Sequence, residues 1–419
     1  MVGSLQTKQI LREVPFFHLL MKSKHFTALL FGQIFSLLGS SITNVILPIV
    51  VLQVSKSTAM MGTVMAIYML PFVILLPFSG VLVDKMNKVK IMFVVDIVRF
   101  FLMMILAVFA FMEQLNMMYL FILMFIMGTM DSFFQPAYSA VRAKVFTKDI
   151  RNAANSMTQV SVQALRIFGP IIGGVIVTSF SAAWGFGIDA LTYIISLFFL
   201  FSLRSLSFQK PTEIKGQKNS LKQDFFEGIV VLKQESWLWI TILAFSLINI
   251  FSGGIIRILI PWLINIYYEY DPVVYGLVLS ASGAGAIVCG LVFGLRKEWK
   301  KRGLLAYIGV AVSGLALLLM PFVSSVSLLM VCMFLEGAGI MLFGLIWETS
   351  LQELVPEEKF GRVASLDMLG SFSLLPVGYL VTGWLAEGIG EIFTLVSFSI
   401  VIVFISVLVM FNKGIRNFN

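Results

Sequence analysis

Twelve predominantly apolar runs, each of 20 residues or more, follow one another from residue 26 to residue 411. A helix rises ~1.5 Å per residue, so about 20 residues cross a hydrocarbon core of ~30 Å. Lipid offers no partner to an open backbone N–H or C=O, so such runs must be helices. The pattern predicts spans at residues 26–52, 58–83, 89–112, 117–140, 155–179 and 184–203. Six more are predicted at 237–264, 273–295, 304–323, 327–350, 363–386 and 391–411. The expected fold class is an all-α polytopic membrane protein. Only 12% of the 419 residues are charged, against about 25% in soluble domains, which leaves no room for a separate water-exposed domain.

The polar links divide the chain. Residues 1–25 form an N-terminal segment, 26–203 a first group of six helices, 204–236 a linker, 237–411 a second group of six, and 412–419 a tail. The first 25 residues carry Lys8, Arg12, Glu13, Lys22 and Lys24 and no clean apolar core, so they do not read as a secretory signal. Val14–Met21 is expected to lie on the membrane surface or to form part of a disordered tail. A short surface helix is expected around Leu221–Lys233.

Of the 30 Lys and Arg residues, 26 fall in the segments facing one side if the N-terminus is inside, and only Lys56 falls in the links facing the other. The positive-inside rule then puts both termini in the cytoplasm, in the cell membrane. The same bias accounts for the net charge of +8, and nucleic acid is not an expected partner. Cys289 and Cys332 lie inside apolar runs, as inert buried thiols do.

Weak internal repetition supports a duplicated six-helix unit. Gly80-Val81-Leu82-Val83 aligns with Gly290-Leu291-Val292-Phe293, and Phe146–Ala154 with Pro356–Ala364, both at a spacing of 210 residues. In the second copy Gly294 stands where the first has Asp84.

Between the second and third runs lies Gly80-Val81-Leu82-Val83-Asp84-Lys85-Met86-Asn87-Lys88-Val89-Lys90, a charged reversal between two membrane helices. It resembles the motif between helices 2 and 3 of the major facilitator superfamily. Gly169-Pro170-Ile171-Ile172-Gly173-Gly174 resembles that family's antiporter motif. There glycines allow close helix approach and proline removes a backbone hydrogen bond; ordinary small-residue packing is the plainer reading. Ser36–Ser40, Phe133–Ala137, Asp189–Tyr193, Tyr275–Leu277, Val355–Pro356 and Gly361–Val363 look like the drug exporter branch that includes macrolide efflux proteins and the enterobactin exporter. The resemblance implies two pseudo-symmetric halves, transport by alternating access, and a gating role for Gly80, Asp84, Lys85 and Lys88. In the family the loop aspartate meets the start of the eleventh helix, so Asp84 would help latch the cytoplasmic gate, and Asp367 nearby would repel it unless protonated or bridged by a Lys or Arg. The family's arginine of the fourth helix is replaced here by Met124, so its charged network does not carry over.

Ionisable groups inside the membrane cost about 2.5–3.5 kcal/mol each and need a reason. Glu336 lies about 14 Å into the tenth run, Asp131 about 21 Å into the fourth and Arg166 about 16 Å into the fifth. Glu336 is the first candidate for proton coupling, or else a protonated carboxyl bonded to a neighbouring helix. Asp131 can meet a proton or a cationic substrate, or make a structural hydrogen bond beside Ser132. Arg166 needs a partner, with Asp189, Glu336 and Asp131 as candidates, in a structural pair or a gate. Asp96 and Arg99 are spaced to pair with each other. Arg257 is expected to reach outward to the interface.

No phosphate-binding Gly-x-x-x-x-Gly-Lys-Ser/Thr stretch occurs, and the only histidines, His18 and His25, precede the first span. No enzyme activity, cofactor or metal is expected. The expected function is proton-coupled export of amphiphilic small molecules by a monomer in the lipid bilayer. The alternatives are a lysophospholipid or siderophore transporter of the same fold, and a non-transporting membrane scaffold or sensor.

Overall fold

Each reversal between helices leaves four backbone N–H groups without partners, and the sequence supplies a side-chain cap at several of them. The Ser57 hydroxyl accepts from the Met60 N–H at 3.1 Å. Asn87, inside the charged reversal, accepts from the Lys90 N–H at 3.1 Å. Asn116 accepts from the Tyr119 N–H at 3.0 Å. These caps start helices α2 (Thr58–Lys85), α3 (Lys88–Phe111) and α4 (Met117–Val145). They follow α1 (Lys24–Ser55) and precede α5 (Arg151–Ser179) and α6 (Ala182–Ser202).

The second set comprises α7 (Ser236–Gly254), α8 (Pro272–Gly294), α9 (Arg302–Leu319), α10 (Val326–Leu354), α11 (Glu357–Ser373), α12 (Leu375–Ile389) and α13 (Glu391–Met410), closed by the short α14 (Lys413–Arg416). The computed structural model describes residues 23–206, 235–294, 300–355 and 357–416, without the side chains of 76, 77, 81, 84, 357–362, 364 and 365. The expected surface segment at 14–21, the linker helix at 221–233 and the side chain of Asp84 lie outside the described residues.

Among the described residues, twelve stretches are long and apolar enough to cross a membrane. Their outer surface carries large apolar side chains such as Phe78, Phe111, Phe198 and Phe404, each more than 60% exposed, as lipid-facing helices require. The eleventh span is built from two pieces, because Pro376 near the start of α12 cannot continue the ladder of α11.

The pairing of helices repeats. Within the first six, α1 packs on α5 and α6, α2 on α4, and α3 on α4 and α6. Within the second set α7 packs on α12 and α13, α8 on α10, and α9 on α10 and α13. These are the same relations shifted by six spans, and they give the two pseudo-symmetric halves of the expected fold class.

Two further pairs, α5 with α8 and α2 with α12, join the halves and exchange under the same shift. Both seams lie towards the face of the bundle away from Lys24 and Arg416, here called the far face. Missing side chains make them possible. A Cβ on Gly276 of α8 would lie 2.2 Å from the Pro170 carbonyl oxygen, and one on Gly62 of α2 would lie 2.4 Å from that of Tyr379. Hydrogen bonds add to the closure. The Thr178 hydroxyl accepts from the Val273 N–H at 3.1 Å, and Glu387 accepts from both the Ser57 hydroxyl and the Ala59 N–H.

The charged reversal behaves differently. Lys85 is exposed in the last turn of α2, a position that suits a cation at a helix C-terminus, whereas Lys88 is 7% exposed. Among the described residues a Cβ at Gly80 would meet nothing within 4 Å.

Candidate functional site

The Gly169–Gly174 motif seats α5 between two neighbours. A Cβ at Gly169 would lie 2.4 Å from the Cβ of Ser41 on α1, and one at Gly173 would lie 3.1 Å from the Ile42 carbonyl oxygen. Gly174 faces the other way, its Cβ position 2.9 Å from the Pro272 carbonyl oxygen at the start of α8. The motif therefore does more than thin one helix: it holds α1 and the opposite half together on two sides of α5.

Two cavities lie at the junction of the halves. The first, about 390 Å³, is walled by Met65, Met69, Met103, Met124 and Met127 from the first half and by Phe372, Leu375 and Tyr379 from the second. Unbranched thioether chains adapt to irregular apolar shapes. The second, about 540 Å³, is walled by Arg166, Arg257, Tyr275, Ser282, Glu336 and Met341, among others. Asn44 and Arg257 line both cavities. The Arg257 guanidinium donates to Asn44 Oδ1 at 3.0 Å, so this link is the partition between them.

The first cavity has a charged wall. Arg99 of α3 is 5% exposed and forms an ion pair with Asp131 of α4. It also meets Asp96 at 3.3 Å, the pair expected from their spacing. The Tyr68 hydroxyl donates to Asp131 at 2.5 Å, and the Ser196 hydroxyl donates to Asp96 at 2.7 Å. The guanidinium rests over the Phe134 ring, 4.2 Å from its centroid, an arrangement that favours a cation. A cation in contact with two acids satisfies the demand for pairing in a desolvated site. Asp189 of α6 is fully buried, accepting from the Thr43 hydroxyl at 2.5 Å and from Thr192 at 3.4 Å.

Several expectations change. Asp131 finds its partners in Arg99 and Tyr68, while Ser132 turns its hydroxyl to the Thr129 carbonyl. Among the described residues Arg166 forms no ion pair with Asp131, Asp189 or Glu336; the first two are held elsewhere, and Glu336 shares only its cavity. Glu336 is 4% exposed and accepts from the Ser282 hydroxyl of α8 at 2.7 Å, so it both bonds a neighbouring helix and faces a cavity. Arg257 does not reach for the interface. It points between the halves, and the reason is local: it lies in a π-helical turn, Ile255–Leu259, with a second at Leu263–Tyr267. The ring of Pro261 would collide with the carbonyl four residues back, which is that of Arg257, and widening the turn relieves the clash. Asp367 is met by the indole N–H of Trp347 at 3.2 Å, a partner the sequence reading did not consider.

Arg99 and Arg257 are the residues that sequence reasoning undervalued. Arg99 is about 16 Å from the start of α3, and Asp131 about 21 Å from the end of α4, so the two share a depth if the helices are neighbours. For Arg257 the available signal was Pro261.

The sequence profile of the Major Facilitator Superfamily matches residues 29–376 and 244–413, and the chain belongs to that family. Macrolide efflux protein A of Streptococcus pyogenes is 24% identical over 366 residues, covering 86% of this chain and 88% of its own length. The enterobactin exporter EntS of Citrobacter koseri is 23% identical over 369 residues, covering 85% and 86%. The crystal structure of a point mutant of the nucleoside transporter NupG superposes with a TM-score of 0.71 at 13% identity, over 92% of this chain and 99% of that one. The protein is a membrane transporter with efflux-type relatives, and not an enzyme.

Proposed function

We propose that this transporter exports amphiphilic small molecules from the cell by alternating access, driven by proton exchange. The observation that carries the reading is the first cavity, whose methionine and aromatic walls from both halves surround an acid–arginine network. Such a wall accepts apolar bodies of varied shape, and the network offers polar anchors without leaving a buried charge unpaired. The names of the efflux relatives agree with an outward direction.

Orientation follows from charge. With 26 of 30 basic residues on the terminus side, that side is the cytoplasm and the membrane is the cell membrane. The halves are sealed at the far face, so this conformation faces the cytoplasm and is ready to load. Rocking about the α5–α8 and α2–α12 seams opens the other side.

Glu336 is the proton carrier in this reading. Its hydrogen bond comes from a neutral hydroxyl, so it can gain or lose a proton without breaking an ion pair. Asp131, held by Arg99 and Tyr68, couples the cavity wall to α2, α3 and α4 instead. Gly80, Asp84, Lys85 and Lys88 act at the cytoplasmic gate, and Gly169, Pro170, Gly173 and Gly174 keep the external seam.

The test uses proteoliposomes with an acidic interior, given a pH gradient and offered a dansyl-labelled undecyl sulfate from outside. Wild type concentrates the compound against its gradient, whereas Glu336→Gln only equilibrates it and still exchanges labelled for unlabelled compound. A Glu336→Gln protein that still builds a concentration gradient removes this residue from coupling.

A further inference from the structure

The second cavity has an unusual charge balance for a space inside a membrane protein. The ionisable acids and bases on its walls are Arg166, Arg257 and Glu336. Even with Glu336 ionised the wall keeps a net positive charge, and with Glu336 protonated it carries two. Arg166 reaches this space from α5, one turn before the Gly-Pro bend, and among the described residues it makes no ion pair. Arg257 reaches it from the π turn of α7 and donates to a neutral amide, Asn44. The two belong to opposite halves, so a group held by both bridges the moving seam. This contrasts with Arg99, which two carboxylates meet behind the wall of the first cavity, Asp131 alone of the three lining it.

We infer that the second cavity is an anion subsite: it takes the carboxylate, phosphate or sulfate head of an amphiphilic substrate whose apolar body lies along the methionine wall of the first. The inference rests on the reading of the central space as an amphiphile site and narrows its cargo. Three features support it. Planar guanidinium groups present paired N–H donors that match an oxyanion in a way one point charge does not. The hydroxyl of Tyr275, on the same walls, offers a further donor, whereas those of Ser41 and Ser282 already donate to the Leu37 carbonyl and to Glu336. The head and body sites also adjoin, because Asn44 and Arg257 line both.

Three dansyl-labelled undecyl amphiphiles test this, identical except for a terminal carboxylate, alcohol or trimethylammonium group. Equilibrium binding is measured to the purified full chain in nanodiscs, with empty nanodiscs subtracted. The wild type should bind the carboxylate at least tenfold tighter than the alcohol. Arg166→Gln and Arg257→Gln should each lower that preference severalfold while the alcohol still binds saturably, which a general loss of fold would not allow. Arg166→Lys and Arg257→Lys should keep part of it. Saturable binding of the alcohol with no preference for the carboxylate, or a preference that survives Arg166→Gln/Arg257→Gln, overturns the anion subsite and keeps the amphiphile site. Tightest binding of the trimethylammonium compound overturns it as well. No saturable binding of any of the three overturns both.

Discussion

The α5–α8 seam offers the sharpest test of how the halves move. In the present conformation a Cβ on Gly276 would lie 2.2 Å from the carbonyl oxygen of Pro170 and 3.4 Å from the Cα of Gly174. An ordinary C···O contact is about 3.3–3.6 Å, so Gly276→Ala demands that the helices part by about 1 Å. Neither atom belongs to a flexible side chain that can swing aside. Overpacking of this kind costs about 1–3 kcal/mol. Alanine also raises helix propensity by about 1 kcal/mol over glycine, but that gain applies to α8 in either conformation and cancels. The far-closed state should lose about 1–3 kcal/mol relative to the far-open one, a shift of about 5- to 150-fold in their ratio. Ala59, 5% exposed at the α2–α12 seam, reports the opening. In a Cys289→Ser/Cys332→Ser background, an Ala59→Cys thiol should react with a membrane-impermeant maleimide several-fold to a hundredfold faster once Gly276→Ala is added. Gly388→Ala is the control, since among the described residues a Cβ there meets nothing within 4 Å. An unchanged labelling rate in Gly276→Ala, or an equal rise in the control, refutes the view that this glycine contact holds the far face shut.

Further outcomes follow from the buried charges and from the cargo site. Arg99→Met strands Asp96 and Asp131 in the first half and should cost about 3–5 kcal/mol, seen as a lower apparent Tm when a thiol-reactive dye reports the exposure of Cys289 and Cys332. Arg99→Met with Asp96→Asn and Asp131→Asn should recover most of that loss; a triple variant as unstable as the single one would mean that packing, and not charge, sets the cost. Glu336→Gln should uncouple accumulation from the pH gradient while exchange persists, measured as described in proteoliposomes. The two guanidinium-to-amide substitutions in the second cavity should lower the preference for a carboxylate head while the alcohol still binds saturably.

The twelve spans were legible because bilayer thickness sets a length that composition either meets or does not. Residues 58–83 and 273–295, for example, correspond to Thr58–Lys85 and Pro272–Gly294. The repeat was legible only faintly from residue identities, whereas helix pairing displays it throughout, since packing relations outlast side-chain similarity. The buried acids and bases could be found by depth, but not their partners. Arg99 and Asp131 are 32 positions apart on different helices, and only the packing of α3 against α4 makes them a pair. Arg166 shows the converse: cost arguments demanded a protein partner, and the fold instead gives it a cavity. Arg257 was misplaced because a regular helix was assumed where Pro261 enforces a wider turn.

Gly80 has an idle place in this conformation. Among the described residues nothing lies within 4 Å of where its Cβ would be, so an alanine there would leave this conformation as it is. Any penalty must arise in the state where that side closes. A Gly80→Ala protein should therefore melt and load like wild type while completing each transport cycle more slowly, a defect visible to a stopwatch and hidden from a thermometer.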